Sequence, residues 1–167
     1  MIVENLYTKD CIRTFSGQYV NVFEPDPEKI NIIDIAHALS MQCRFGGHLP
    51  NFYSVAQHSI VVASIVSKEH KIAALLHDAS EAYLMDIPRP IKIRLANYKE
   101  IEDGLMKVIA EKFGFEYPLS EDVKEADEKR LKIEWNCCML EKDTIECWAS
   151  SVAKMKFANE YFKLSTP

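Results

Sequence analysis

The side chains of this sequence that could do chemistry together are His58, His77, Asp78, Glu81 and Asp127. Three of them fall in "AALLHDASEAY", residues 73–83, where an apolar helical run enters His77 and Asp78, meets Glu81, and turns apolar again at Ala82 and Tyr83. Burying unpaired ionisable groups costs several kcal/mol or forces a pKa shift, so something must satisfy them. Neighbouring side chains could do so, giving a core histidine with a salt-bridged aspartate; a bound ion could do so instead. His58 sits in "SVAQHSIVVA" and Asp127 in "KEADEKRL", each on a different predicted helix. From three helices His58, His77, Asp78 and Asp127 can converge as two nitrogen and two oxygen ligands of one divalent ion. Imidazole and carboxylate suit Mn, Fe, Co, Ni or Zn and do not choose among them. Such a set can leave coordination positions open for water and substrate.

The elements that must hold these residues are mostly helical. "CIRTFSGQYVNVFEPDP" reads as a short β-hairpin, with β-favouring Thr14, Tyr19, Val20 and Val22 around a Ser16-Gly17 turn, ended by Pro25 and Pro27. "PEKINIIDIAHALSMQCRF" has a helical period at Ile32, Ile35, Ala36, Leu39 and Cys43, broken by Gly46-Gly47 and Pro50. "FYSVAQHSIVVASIV" is apolar on nearly all sides and should lie at the centre. "KEHKIAALLHDASEAYL" is expected as one helix, stopped by Pro88 and Pro90 in "DIPRPIK". Amphipathic helices are expected over 97–114, 120–142 and 144–163, with Gly114 at a C-cap and Ser120 before acidic residues at an N-terminus. The expected fold is all-α, a compact bundle with a small N-terminal β-hairpin.

Length and composition limit the function classes. At 167 residues a single domain over 1–167 is the default, with 48% hydrophobic and 27% charged residues. A net charge of −5 argues against polymeric nucleic acid as a partner. No apolar run approaches the length of a membrane span. "MIVENLYTKD" lacks the basic and long apolar regions of a signal peptide, so a cytoplasmic protein is expected. The five cysteines are an odd number with no CxxC pair and read as reduced thiols.

"CRFGGH", "FYSVAQHS", "ALLHDASEAY", "DIPRPIK" and "VKEAD" together resemble the HD-domain metal-dependent phosphohydrolases over roughly residues 12–140. The order His58, His77-Asp78, Asp127 follows the H…HD…D signature of that superfamily. The chain looks most like the bacterial 5′-deoxynucleotidases and the small viral deoxynucleoside triphosphohydrolases. The resemblance implies an HD-domain helical bundle holding one divalent transition-metal ion on His58, His77, Asp78 and Asp127. Glu81 matches the carboxylate that acts on water in those enzymes, whose motif also reads HD-x-x-E. On a continuous helix, residues 77 and 81 would be i and i+4, which suits that position. Asp86 matches a second acidic position, which binds the sugar hydroxyl, acts on the leaving oxygen, or serves only as a cap.

Arg44 matches an arginine that contacts phosphate, for which a planar guanidinium is suited, and Lys92 is a second phosphate candidate. The sequence departs from the deoxynucleotidase pattern at Phe45, where those enzymes carry tryptophan. Stacking can survive that change; an indole N–H hydrogen bond cannot. His48 either contacts substrate or closes a glycine-rich loop, His37 reads as a core histidine, and His70 as exposed. No histidine follows His77, which disfavours a second protein-held metal.

The reaction so implied is hydrolysis of a phosphate ester or anhydride of a small (deoxy)nucleotide, of 5′-nucleotidase or triphosphohydrolase type. The alternatives are a non-catalytic metal- and nucleotide-binding sensor, against which intact Glu81 and Asp86 speak, and a scaffold with a structural ion, whose sites favour sulfur and full protein coordination. The final helix carries Trp148, Met155, Phe157, Tyr161 and Phe162, an apolar load that suggests a homodimer or higher homo-oligomer.

Overall fold

The polypeptide path starts with a short antiparallel hairpin, β1 (Cys11–Arg13) and β2 (Tyr19–Asn21), with Ile12 opposite Val20. The structure is a computed structural model that describes residues 10–166; the segment bearing on an export signal lies largely outside them. Ser16 and Gly17 form the turn as the sequence suggests, and Val20 faces the core with no exposure. The rest is helical: α1 (Ile32–Met41), α2 (Val55–Ile65), α3 (Lys71–Leu75), α4 (Glu81–Leu84), α5 (Arg89–Lys92), α6 (Tyr98–Phe113), α7 (Glu121–Glu134) and α8 (Ser150–Ser165). The fold is thus mostly α with one two-stranded hairpin among the described residues. No helix among them is long and apolar enough to cross a membrane.

Helix α2 is central, as its all-round apolar sequence predicts. It packs against α1, α3, α7 and α8. Its N-cap is Ser54, whose hydroxyl accepts the Gln57 N–H at 3.1 Å. Inside it, Val55, Ala56, Val62 and Ala63 join Ile35, Leu39, Leu75, Leu76, Leu105, Ile109, Val123 and Phe157 in one hydrophobic cluster. Asn31 caps α1 by accepting from the Asp34 N–H at 2.9 Å, and Asp34 reaches back to the hairpin turn, accepting from the Ser16 N–H and hydroxyl at 2.7 Å each. The hairpin is therefore tied to the bundle through a buried carboxylate. Gly114 ends α6 at φ 72°, a left-handed C-cap that glycine adopts without a Cβ penalty.

Several expected boundaries differ. The single helix expected across 68–84 is divided: α3 stops at Leu75, residues 76–80 form turns, and α4 starts at Glu81. The reason is a run of tight i→i−3 bonds, Ala79 to Leu76, Glu81 to Asp78 and Ala82 to Ala79. His77 and Asp78 therefore sit on a turn and not on a helix. Helix α1 ends at Met41, before Cys43 and Arg44, because the chain turns extended at Gln42 and pairs Cys43 with Ser54. Helix α7 ends at Glu134 and continues as a π-helical turn, Trp135–Met139. Ser120 stands at the N-cap of α7 with its hydroxyl unbonded. Helix α8 begins at Ser150, later than expected. Its Phe157 is fully buried, Trp148 and Tyr161 pack partly on the core, and Met155 and Phe162 stay about half exposed. Core packing thus absorbs much of the apolar load behind the expected homodimer.

Candidate metal centre and cleft

His58 is fully buried in the first turn of α2, and His77 is nearly so on the turn after α3. Their Nε2 atoms lie 3.3 Å apart. Each ring is fixed from behind. The His77 Nδ1 is 2.7 Å from the Ala74 carbonyl oxygen, which can only accept, so Nδ1 carries the proton. The His58 Nδ1 is 2.9 Å and 3.1 Å from the two carboxylate oxygens of Glu134, and likewise donates. Both rings are thereby set in the tautomer that turns an Nε2 lone pair toward the same point. A contact this short is satisfied by a proton on one of the two nitrogens or by a metal ion held between them.

Carboxylates complete the point. Asp127, on α7, places Oδ1 at 3.0 Å from the His58 Nε2 and 3.7 Å from the His77 Nε2. Two ligands each about 2.1 Å from one ion are about 3.0 Å apart at right angles and about 3.4 Å apart at a tetrahedral angle. The group His58, His77 and Asp127 has all its ligand atoms within 4.8 Å of one another and could hold a metal ion. Asp78 stands beside it, its Oδ2 at 3.2 Å from the His77 Nε2 and 3.8 Å from that of His58. The four expected ligands are thus brought together, with Asp78 at the edge of the group. Burial disfavours an imidazolium at His77, but Asp78 and Asp127 more than offset it and raise its pKa well above the ordinary range. Burial also opposes charge on Asp78 and Asp127, and the two imidazoles outweigh it, holding both carboxyls below their usual range.

The centre opens into a cleft of about 1350 Å³ whose lining includes Asp78, Asp127, Glu81, Asp86, Arg44 and Lys92, with Phe45 and His48 on one rim. Gln42 sets part of it: its side-chain amide donates to the Glu81 carbonyl at 2.9 Å, and its side-chain oxygen accepts the Asp86 N–H at 2.9 Å. Met85 between them takes φ 71°, ψ 153°, a conformation other than glycine rarely adopts, and it redirects the chain at Asp86. Phe45 also has a positive φ of 56°, and Gly46 approaches the Pro88 ring so closely that a Cβ would meet it at 3.3 Å. That contact brings the Phe45 loop against "DIPRP". Across the cleft, Phe45 meets Trp135 with ring centroids 5.9 Å apart.

The charged residues are arranged as a network. Arg44 is buried and faces Asp78 at 3.6 Å, Asp86 at 4.0 Å and Glu134 at 3.4 Å. Burial works against its charge, but Glu134, Asp78, Asp86 and Glu81 together raise its pKa above the ordinary arginine value. Lys92 bridges Glu102 and Glu81, at 3.8 Å from the latter. The i,i+4 helical relation expected for His77 and Glu81 does not exist, since a turn separates them. Glu81 nonetheless reaches the cleft, with Oε2 buried and unbonded. Burial first, then Asp78 and Asp86, push its pKa well above the usual carboxyl range. Asp86 Oδ2 is also buried without a hydrogen bond, and burial raises its pKa, opposed by Arg44.

Glu134, Arg130 and Tyr53 were not expected at the centre. Glu134 is fully buried, accepts from Arg130 Nε at 2.9 Å, and Arg130 Nη2 donates to the Tyr53 hydroxyl at 2.7 Å. The available signal was the spacing of seven between Asp127 and Glu134, two turns along one face of α7.

Fold and site together define a mostly α-helical protein with an imidazole–carboxylate group able to hold a metal ion. The chain is 47% identical over 116 residues to the uncharacterized protein YfdR of Escherichia coli K12, a match covering 70% of this chain and 65% of that protein. It is 32% identical over 136 residues to the uncharacterized protein RCAP_rcc00048 of Rhodobacter capsulatus, covering 73% of this chain and 69% of that one. The chain belongs to the family of these proteins and spans just under two thirds of the length of the Escherichia coli relative. No protein-family model matches it.

Proposed function

We propose that this chain is a metal-dependent phosphohydrolase of the HD-domain superfamily acting on small (deoxy)nucleotides, of 5′-nucleotidase or triphosphohydrolase type. The observation that carries the reading is the pair of His58 and His77 Nε2 atoms, 3.3 Å apart, turned toward Asp127 at the floor of a cleft that also holds Arg44 and Lys92. His58, His77, Asp127 and Asp78 would hold one divalent ion, with Mn, Co, Fe, Ni and Zn all compatible with the donors. Such an ion supplies a Lewis acid for a phosphoryl oxygen and lowers the pKa of bound water.

The residues of the chain do the rest. Arg44 and Lys92 bring positive charge to the cleft, where phosphate oxygens would exchange places with part of their carboxylate pairing. Glu81, buried with one unbonded oxygen, would take a proton from an attacking water, and Asp86 would hold a sugar hydroxyl or return a proton to the leaving oxygen. Phe45 and Trp135 offer aromatic faces to a base. Two buried carboxylate oxygens without hydrogen bonds in the cleft are a cost to stability that a purely structural role would not need. The test is release of free nucleoside, the product common to both reaction types, over a panel of nucleoside and deoxynucleoside mono- and triphosphates with added Mn²⁺ or Co²⁺. Metal-dependent release from at least one nucleotide is expected; none from any of them would defeat the proposal.

A further inference from the structure

We propose that Glu134 is a positioning residue that couples the metal-binding imidazole of His58 to the anion-facing guanidinium of Arg44, a role that rests on the reading of the site given above. Helix α7 grips both nitrogens of one imidazole. Asp127 lies 3.0 Å from the His58 Nε2, and Glu134, two turns on, lies 2.9 Å from its Nδ1. The second oxygen of Glu134 lies 3.4 Å from Arg44 Nε, while the Nη1 end of that guanidinium points to Asp78 and Asp86 in the cleft. One carboxylate therefore backs both the imidazole that would meet the ion and the arginine that would meet the phosphate.

The arrangement is built to keep that carboxylate charged and still. Glu134 has no exposure, and a lone buried carboxylate would cost several kcal/mol. Arg130 offsets this through its Nε, and is itself held by the Tyr53 hydroxyl. The helix changes from α to π at the very next residue, Trp135, a distortion common at functional sites. A cation on Nε2 makes Nδ1–H a stronger donor, which tightens its bond to Glu134 and fixes the carboxylate against Arg44. By linkage, whatever orders Arg44 must favour the cation in return.

The test compares wild type with Glu134→Gln, by calorimetric titration of Mn²⁺ into metal-stripped protein and of inorganic phosphate into the Mn²⁺-saturated protein. Unfolding temperature in EDTA is recorded alongside. Glu134→Gln should weaken Mn²⁺ binding by about 10–100-fold, the usual effect of losing a carboxylate behind a ligating histidine, and should weaken phosphate binding as well. Should Glu134→Gln fail to fold, Glu134→Asp keeps the buried charge but shortens its reach, and the same two losses are expected. Either affinity unchanged in a folded variant overturns the coupling, and a lower unfolding temperature with both affinities intact assigns Glu134 a structural role only. If wild type itself binds no Mn²⁺, the metal reading fails first, and the coupling falls with it.

Discussion

The carboxylate of Glu134 meets the Nδ1 of His58 at 2.9 Å across 76 positions of sequence, and so leaves the Nε2 of that ring to face His77 and Asp127. That contact fixes the orientation of one of the rings that could hold an ion.

One ion per chain is expected when the protein is purified without chelators. Elemental analysis of wild type, His77→Ala and Asp127→Ala should show about one equivalent in the first, by the ligand count for a single site, and little in the others. Mn²⁺ at a hundred times its dissociation constant should add about 2.7 kcal/mol of stability to wild type, read as a higher unfolding temperature, and none to His77→Ala. Equal metal content in all three proteins would refute the assignment.

Glu81→Ala should lower turnover by about 10²–10⁴-fold, the range for removal of a general base, with the ion retained. Metal content and nucleoside release measured on one sample separate the roles. Lost metal would make Glu81 a ligand, and near-normal turnover would remove it from the mechanism.

Arg44→Ala should destabilise the fold by about 3–5 kcal/mol, because it takes from Asp78 and Asp86 the guanidinium they face and leaves buried Glu134 with Arg130 alone. Urea unfolding measures the change. A loss below about 1 kcal/mol, the range for exposed pairs, would show that water or a rearranged side chain replaces the guanidinium.

Asp34 gives a pH-dependent prediction remote from the metal centre. Burial opposes its charge, but hydrogen bonds from Thr14, Ser16 and Asn31 outweigh this and depress its pKa below the ordinary 3.8. Its contribution is therefore complete above the unfolded value and is lost as pH falls through the lower folded value. Asp34→Ala should cost about 2 kcal/mol at pH 7, as for hydrogen bonds to a charged group, and the gap to wild type should shrink below about pH 4. A gap that stays constant from pH 7 to pH 2 would contradict it.

Much of the scaffold was legible because it rests on local rules. The all-round apolar run of α2 forecast a central helix, Gly114 forecast a left-handed cap, and Ser16-Gly17 forecast the hairpin turn. The break at Leu76 was not legible. Residues 71–84 have good helical composition throughout, and what interrupts them is a set of tight turns that bring His77 over Ala74 and into line with His58.

The types and order of His58, His77, Asp78, Glu81 and Asp127 are properties of the chain itself, and a resemblance could be read from them without coordinates. So could the charge, the caps and the apolar faces, since each depends on residues within a turn or two of one another. The tertiary structure alone decided that Arg44 is enclosed by Asp78, Asp86 and Glu134, that Gln42 clamps the backbone of Glu81 and Asp86, and that Glu134 stands behind His58. These pairings join segments tens of residues apart. Which buried carboxylate finds which cation depends on how α2, α7 and the turn after α3 pack, and helical periodicity carries no information about that.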